Sequence, residues 1–218
     1  MTPLLRSAGG VTLIGGGAVT GGELAEALAL APQLVAADGG GDAALALGHR
    51  PDLVIGDMDS LSADGRARIG ADRVHHIAEQ VSTDFEKCLM RIEARFVIAV
   101  GFAGRRLDHT LAALNSMVRR PRPQVVMIAA EDIVFLCPPR LELPTPAGTR
   151  VSLFPMGPAQ GTSTGLEWPI DSIAFAPGGP GGTSNRANGP VSLTMKGNML
   201  VMLPRDHLGL ALAALTGD

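Results

Sequence analysis

Two hydrophobic rhythms alternate along the chain as far as residue 137. Short, nearly continuous apolar runs read as strands: VTLIGG (11–16), QLVAAD (33–38), DLVIGD (52–57), RFVIAVGF (95–102) and QVVMIAA (124–130), with RVHHI (73–77) a weaker one. Between them GELAEALALA (22–31), GDAALALG (41–48), STDFEKCLMRIEA (82–94) and DHTLAALNSMVRR (108–120) read as helices; in the third, Phe85, Cys88, Leu89 and Ile92 fall at helical spacing. This alternation predicts a parallel sheet with helices on both faces. DIVFLC (132–137) is expected to close a hairpin with the strand before it.

The rhythm changes after PPRLELPTP (138–146). Short candidate strands follow, TRVSLFPM, GLEWPI, SIAFA, VSLTMK and MLVMLP, separated by Gly- and Pro-rich turns of which APGGPGGTSNRANGP (176–190) is the longest. LGLALAALTGD reads as a short final helix. The expected fold class is therefore α/β: an N-terminal three-layer, parallel-sheet, Rossmann-like domain over residues 1–139, and a C-terminal all-β sandwich domain over residues 140–218.

Composition narrows the function classes. The 218 residues are 46% hydrophobic and 18% charged, enough for a real core. The net charge of -3 gives no nucleic-acid footprint. Aromatics are 3%, with no Tyr and one Trp, so no stacking platform for single strands is expected. Cys88 and Cys137 sit in apolar runs and read as reduced core residues. The opening MTPLLRSAGGVTLIGGG lacks a signal-peptide pattern, and no apolar run is long enough for a bilayer. The expectation is a cytoplasmic protein without a membrane or nucleic-acid partner.

Candidate chemistry sits where strands end, the place at which such sheets bind ligands. GGGAVTGGE (15–23) fits neither GxGxxG, because Thr20 stands at the third glycine, nor the P-loop. ADGGGDAAL (37–45) puts Asp38 at a strand end; Gly39 and Gly40 could admit a ligand, or Asp38 could cap the next helix. In VIGDMDSL (54–61), Asp57 and Asp59 are hard carboxylates of the kind that hold Mg²⁺ with phosphates and water. In EQVSTDFEKCL (79–89), Thr83 and Glu86 fit a capping box, which leaves Asp84 and Lys87 on one face. These are either a cap and a surface lysine, or a third metal acid beside a phosphate-binding lysine. GRRLDHTLAAL (104–114) offers Arg105 and Arg106 to phosphates; Asp108 could cap a helix and His109 could carry a proton. Carboxylates for Mg²⁺ and cations for phosphates together suit polyphosphate transfer, which needs positioning and charge neutralisation more than a covalent nucleophile.

The ordered set ADGG (37–40), PDLVIGDMDS (51–60), STDFEKCL (82–89), GRRLDH (104–109), GLEWP (165–169) and TSN (183–185) resembles the thiamine pyrophosphokinase family. The resemblance implies ATP as co-substrate, Mg²⁺ as cofactor, and transfer of a pyrophosphoryl group to the thiamine hydroxyl to give thiamine diphosphate and AMP. It also implies a homodimer with thiamine at the subunit interface. Carried over, Asp57, Asp59 and Asp84 would hold the metal, with Asp38 close by. Gln80, Thr83, Lys87 and Arg106 would line the polyphosphate, and Asp108 would sit near the reacting groups. Trp168 would contact thiamine, or fill the β core, while Ser184 and Asn185 would bond its pyrimidine, or shape a turn. Gly41-Asp42 and Arg186 stand where the family often has Ala-Asn and an acid. Other readings are a pyrophosphokinase for another small alcohol such as a hydroxymethylpterin, a nucleotide-sugar transferase, a dehalogenase-like phosphatase, and a thiamine-sensing dimer without turnover.

Overall fold

The structure is a computed structural model that describes residues 2–217. The chain forms two compact units, Met1–Ala129 and Ala130–Asp218. This division falls ahead of residue 139 because the strand Asp132–Leu136 pairs within the second unit.

In the first unit β1 (Leu5–Arg6) is followed by β2 (Gly10–Ile14), α1 (Gly21–Leu30), β3 (Gln33–Ala37), α2 (Gly40–Ala46), β4 (Leu53–Gly56) and α3 (Ala63–Ile69). Next come β5 (Val74–His76), α4 (Asp84–Leu89), β6 (Ile92–Glu93), β7 (Phe96–Val100), α5 (Leu107–Arg119) and β8 (Gln124–Ala129). The sheet runs β8-β7-β2-β3-β4-β5, and every pairing along it is parallel. Chain order proceeds outward from β2 to β5, then returns to the other side of β2 at β7. The reversal between β2 and β7 is a topological switch point, where a crevice opens beyond the strand ends. The glycine run lies there, with Gly15 N–H donating to Val100 C=O and Gly17 N–H to Gly101 C=O, both at 2.9 Å.

Alternate strand residues feed opposite faces of the sheet. Val11, Leu13, Val35, Leu53, Ile55, Val97 and Val125 pack with Phe85, Cys88 and Leu89 of α4 and with Ala113 and Met117 of α5. Helices α1 and α2 also lie against the sheet, and Leu24, Ala27 and Ala44 on them are fully buried outside that cluster.

Several elements differ from the sequence expectation. The expected helix over 82–94 stops at Leu89, because Ile92 and Glu93 extend and pair with Leu5 and Arg6 of β1. Helix α3 was not anticipated; of its residues only Gly65 and Ile69 are buried, too few to make an apolar period. Thr20, which breaks the GxGxxG pattern, is the N-cap of α1. Its hydroxyl accepts from Glu23 N–H while the Glu23 carboxylate accepts from Thr20 N–H, a full capping box.

The second unit holds β9 (Asp132–Leu136), β10 (Arg140–Leu143), β11 (Arg150–Leu166), β12 (Thr183–Pro204) and α6 (Leu208–Thr216). Strand β12 pairs antiparallel with both β9 and β10. Strand β11 meets β12 twice. Arg150 to Leu153 lie opposite Arg186 to Thr183, and Phe154 to Thr164 lie opposite Leu200 to Ser192. In both ladders the partner number falls as β11 advances, so the two strands run in opposite directions. The short strands expected from VSLTMK and MLVMLP are thus one strand, and β12 begins within the glycine-rich stretch that was read as a turn. SIAFA forms no strand of its own and contributes an isolated bridge between Phe175 and Ala159.

Candidate active site

The parallel strands deliver their carboxylates to one edge. Asp38 follows β3 and Asp57 follows its neighbour β4, so both emerge at adjacent carboxyl ends. Asp59 joins them through a tight turn in which Met58 takes a left-handed φ of 64°. Asp38 itself has φ 44°. A left-handed residue other than glycine costs roughly 1–2 kcal/mol, so the surrounding bonds must hold both in place.

Those bonds are visible. Each Asp38 carboxylate oxygen accepts a main-chain N–H of the following loop, from Ser60 at 2.9 Å and from Leu61 at 3.1 Å. Asp42 accepts both the N–H and the hydroxyl of Ser62 at 2.7 Å, and Ser62 in turn caps α3. The Gly41-Asp42 departure thereby gains a structural role. Gly40 admits the close approach on which this rests: a Cβ there would fall 2.2 Å from the Ile14 carbonyl oxygen. The bare backbone at Gly40 serves helix–strand packing. Gly39 sits against Ser60 and is the N-cap of α2, so Asp38 is not the cap.

Carboxylate oxygens of Asp38, Asp57 and Asp59 all lie within 4.8 Å of one another. Asp84 enters from the first turn of α4. A Cβ on Gly56 would lie 2.8 Å from Asp38 Cβ and 3.1 Å from Asp84 Oδ1, so Gly56 is the floor between those two acids. Of the three acids expected to hold a metal, Asp57 and Asp59 are therefore joined most closely by Asp38, while Asp84 is tied to Asp57 through a lysine. The donor set is hard, anionic oxygen, which fits Mg²⁺.

That lysine is Lys87, and it is not a surface residue. Its side chain is 1% exposed, with Nζ 2.9 Å from Asp84 Oδ1 and 3.2 Å from Asp57 Oδ2. Burial would lower its pKa, but the hydrogen bonds and charges of Asp84 and Asp57 outweigh burial and hold it above the usual lysine value. Burial likewise pushes Asp57 upward, and the bonds from Lys87, Gln80 and Asp59 N–H overcome it, leaving Asp57 below the usual carboxylate range. Gln80 Nε2 donates to Asp57 Oδ2 at 2.9 Å. Asp38 goes the other way: burial, then the neighbouring Asp59 carboxyl and the Asp84 charge, raise it against the Ser60 N–H bond.

Thr83 is the N-cap of α4, accepting from Glu86 N–H at 3.2 Å. Only half of the expected capping box forms, because the Glu86 carboxylate turns away to Arg119 and Arg120 at 3.0 Å each. Sequence reading missed this buried acid; the signal was a glutamate between two core residues, Phe85 and Cys88. Arg106 and Asp108 pair with each other at 2.6 Å on the exposed start of α5 and do not join the carboxylates. Arg106 is the N-cap of α5 and gives no side-chain cap bond, so Asp108 is not the cap either. His109 is exposed in the first turn of α5. Arg105 has a left-handed φ of 33°.

In the second unit Trp168 is 55% exposed, so it does not fill the β core. Asn185 is buried and clamps its backbone: Nδ2 donates to Trp168 C=O at 2.7 Å, and Oδ1 accepts from Trp168 N–H at 3.2 Å and Arg186 N–H at 2.9 Å. Ser184 is exposed on β12. Arg186 lies 3.5 Å from Glu167, beside the tryptophan.

At the carboxyl edge of a parallel α/β sheet, a carboxylate cluster around a buried lysine makes a donor set suited to metal-bound phosphates. Residues 24–128 match the family model described as thiamin pyrophosphokinase, catalytic domain. The chain is 29% identical over 156 residues to thiamine pyrophosphokinase 1 of Arabidopsis thaliana, covering 63% of this chain and 58% of that protein. Thiamine pyrophosphokinase 3 of Oryza sativa is 27% identical over 157 residues, with the same 63% and 58% coverage. The chain thus spans less than two thirds of the length of these curated relatives. Its fold is shared with the thiamin pyrophosphokinase from Candida albicans, at TM-score 0.77 and 17% identity over 90% of this chain and 89% of that one. The thiamin pyrophosphokinase from Geobacillus thermodenitrificans gives TM-score 0.73 and 22% identity over 89% and 96%. No described helix is long and apolar enough to cross a membrane.

Proposed function

We propose that this protein is a thiamine pyrophosphokinase, moving the pyrophosphoryl group of ATP to the thiamine hydroxyl. The hydroxyl oxygen bonds to the β-phosphorus, the bond from that phosphorus to the α-bridging oxygen breaks, AMP leaves with the electron pair, and the hydroxyl proton is released. The observation that carries the reading is the convergence of Asp38, Asp57 and Asp59, with Asp84 and Lys87 beside them, inside the stretch that matches the family model.

Asp57, Asp59 and Asp84 would hold Mg²⁺, with Asp38 positioned to share it. Bound there, the ion would neutralise polyphosphate charge and stabilise the leaving group. Lys87 helps hold Asp57 below the usual carboxylate range and orients both Asp57 and Asp84, so the site is arranged before substrate arrives. Gln80 and Lys87 both bond Asp57 Oδ2 and fix that carboxylate. Gly39, Gly40, Thr83 and Lys87 border the polyphosphate path, and Arg106 swings from its exposed pairing with Asp108 to reach the phosphates, freeing Asp108 near the reacting groups. Trp168 offers its open indole face to the thiamine cation. Asn185 holds the Trp168 backbone in place and turns its remaining amide N–H, with Ser184, toward the pyrimidine.

The two domains of this reading are an α/β, Rossmann-like ATP-binding domain in Met1–Ala129 and a β-sandwich thiamine-binding domain in Ala130–Asp218. The enzyme works in the cytoplasm as a homodimer with thiamine at the subunit interface. Exposed apolar side chains support an interface: Val81 is 90%, Leu107 72% and Leu111 56% exposed.

The test is to incubate the purified protein with ATP, Mg²⁺ and thiamine and to measure AMP and thiamine diphosphate together. Equal amounts of both, lost on chelating the metal, are expected. ADP with thiamine monophosphate, or no thiamine product, would overturn the reading.

A further inference from the structure

Helix α4 is six residues long and carries both Asp84 and Lys87. So short a helix is not stable alone, so its position comes from what grips it. One face is apolar: Phe85, Cys88 and Leu89 join the core beneath the sheet, with the Phe85 ring 4.4 Å from that of Phe102. The driving force for such burial is non-directional. The directional grip comes from Glu86. Glu86 is 1% exposed, with Oε2 accepting from Arg119 Nη1 and Oε1 from Arg120 Nε, both at 3.0 Å. The two arginines end α5, whose side Thr83 also approaches, through Ser116 Oγ at 3.4 Å. On a helix Glu86 stands about 200° around the axis from Asp84, while Lys87 returns to within about 60° of Asp84. Holding Glu86 toward α5 therefore turns Asp84 and Lys87 toward Asp57.

We propose that Glu86 is a positioning residue for the metal-binding carboxylates, acting through the rotation of α4 and clamped by Arg119 and Arg120. The proposal rests on the reading of those carboxylates as a divalent-cation site. Glu86 touches none of the acids, and neither arginine does so in the bonds described above. Releasing the clamp swings Asp84 and Lys87 away from Asp57 and leaves the remaining acids without their counter-ion.

The test is Mn²⁺ binding to the full chain without nucleotide, followed by the spin-resonance signal of the free ion, for wild type, Glu86→Gln and the double variant Arg119→Ala, Arg120→Ala. Urea unfolding midpoints are measured alongside. The expected result is a Mn²⁺ dissociation constant raised about tenfold in both variants, the size typical for residues that orient metal ligands. Combining all three substitutions should add little further loss, because the same clamp is being removed. Should Glu86→Gln prove unfolded, the arginine variant decides, since those side chains are 51% and 42% exposed. Dissociation constants within twofold of wild type, with only the urea midpoints lowered, would show Glu86 to be structural and overturn the proposal. Absence of Mn²⁺ binding in the wild type would instead overturn the carboxylate reading on which it rests.

Discussion

Lys87 decides how the acid cluster can exist. Several carboxylates on neighbouring strand ends repel one another, and a cation buried among them offsets that repulsion. Replacing Lys87 with Met removes charge and hydrogen bonds while keeping length. The expected cost is about 1.5–3 kcal/mol, the range for bonds to charged groups, with turnover lost. Urea unfolding checks this; an unchanged midpoint would show that the lysine does not hold the acids. Asp59→Asn is a different experiment. Asp59 is exposed, its main bond is to Ser60 Oγ at 2.7 Å, and the loop is anchored elsewhere, so the fold should persist while turnover falls at least a hundredfold. Normal activity in that variant would remove the central claim. Away from the site, burial pushes the Cys137 thiol up to about 12 from 9.0. A thiol with a raised folded pKa favours the folded state fully below pH 9, and that contribution is lost as pH climbs toward 12. Cys137→Ala should therefore flatten the fall in urea midpoint across this window relative to wild type.

At the scale of elements, helices and strands with strong periods were legible. The strands VTLIGG, QLVAAD and DLVIGD appear within a residue or two of their expected bounds, as β2, β3 and β4. They are buried on both faces, so they read as continuous apolar runs. Helix α3 escaped because Asp42 and Ser62, rather than an apolar stripe, fix it. The end of α4 was misplaced because Ile92 continues the helical spacing but is claimed by a strand pairing with Leu5. The acids at strand ends were legible for the same reason as the strands. Lys87 was legible as a member of the site but not as a buried one, since nothing in STDFEK distinguishes a lysine under the acids from one above them. Asp38 was placed nearby without its companions Ser60 and Leu61, because a contact between distant loops has no local signal. Gly40→Ala tests the packing claim at this scale. Its Cβ would press on the Ile14 carbonyl, a backbone atom, so a loss of about 3 kcal/mol is expected in urea unfolding. A neutral result would mean that α2 can shift without disturbing β2.

For the whole molecule, the solved thiamin pyrophosphokinases share the fold across nearly the entire chain, although identity stays near one residue in five. The second unit was legible as β from short apolar runs between Gly- and Pro-rich turns, yet its strands were cut too short. Residues 183–190 look like a turn by composition, but their backbone is claimed by β11, with Asn185 opposite Val151 and Leu166 opposite Ala187. The proposed dimer gives a prediction at this scale. Sedimentation should show a dimer, and Leu107→Asp with Leu111→Asp should yield a folded monomer with activity reduced about tenfold or more; each substitution buries a charge in the proposed contact. A fully active wild-type monomer would refute the interface.

The turn around Met58 has one more consequence. Its shape is set by Asp38 and Asp42, which grip main-chain groups, while Asp57 and Asp59 project from it. Asp57 also accepts the Asp59 N–H, whereas the Asp59 carboxylate bonds the Ser60 hydroxyl. A descendant of this chain could therefore exchange Asp59, and with it the chemistry presented there, without having to reinvent the loop.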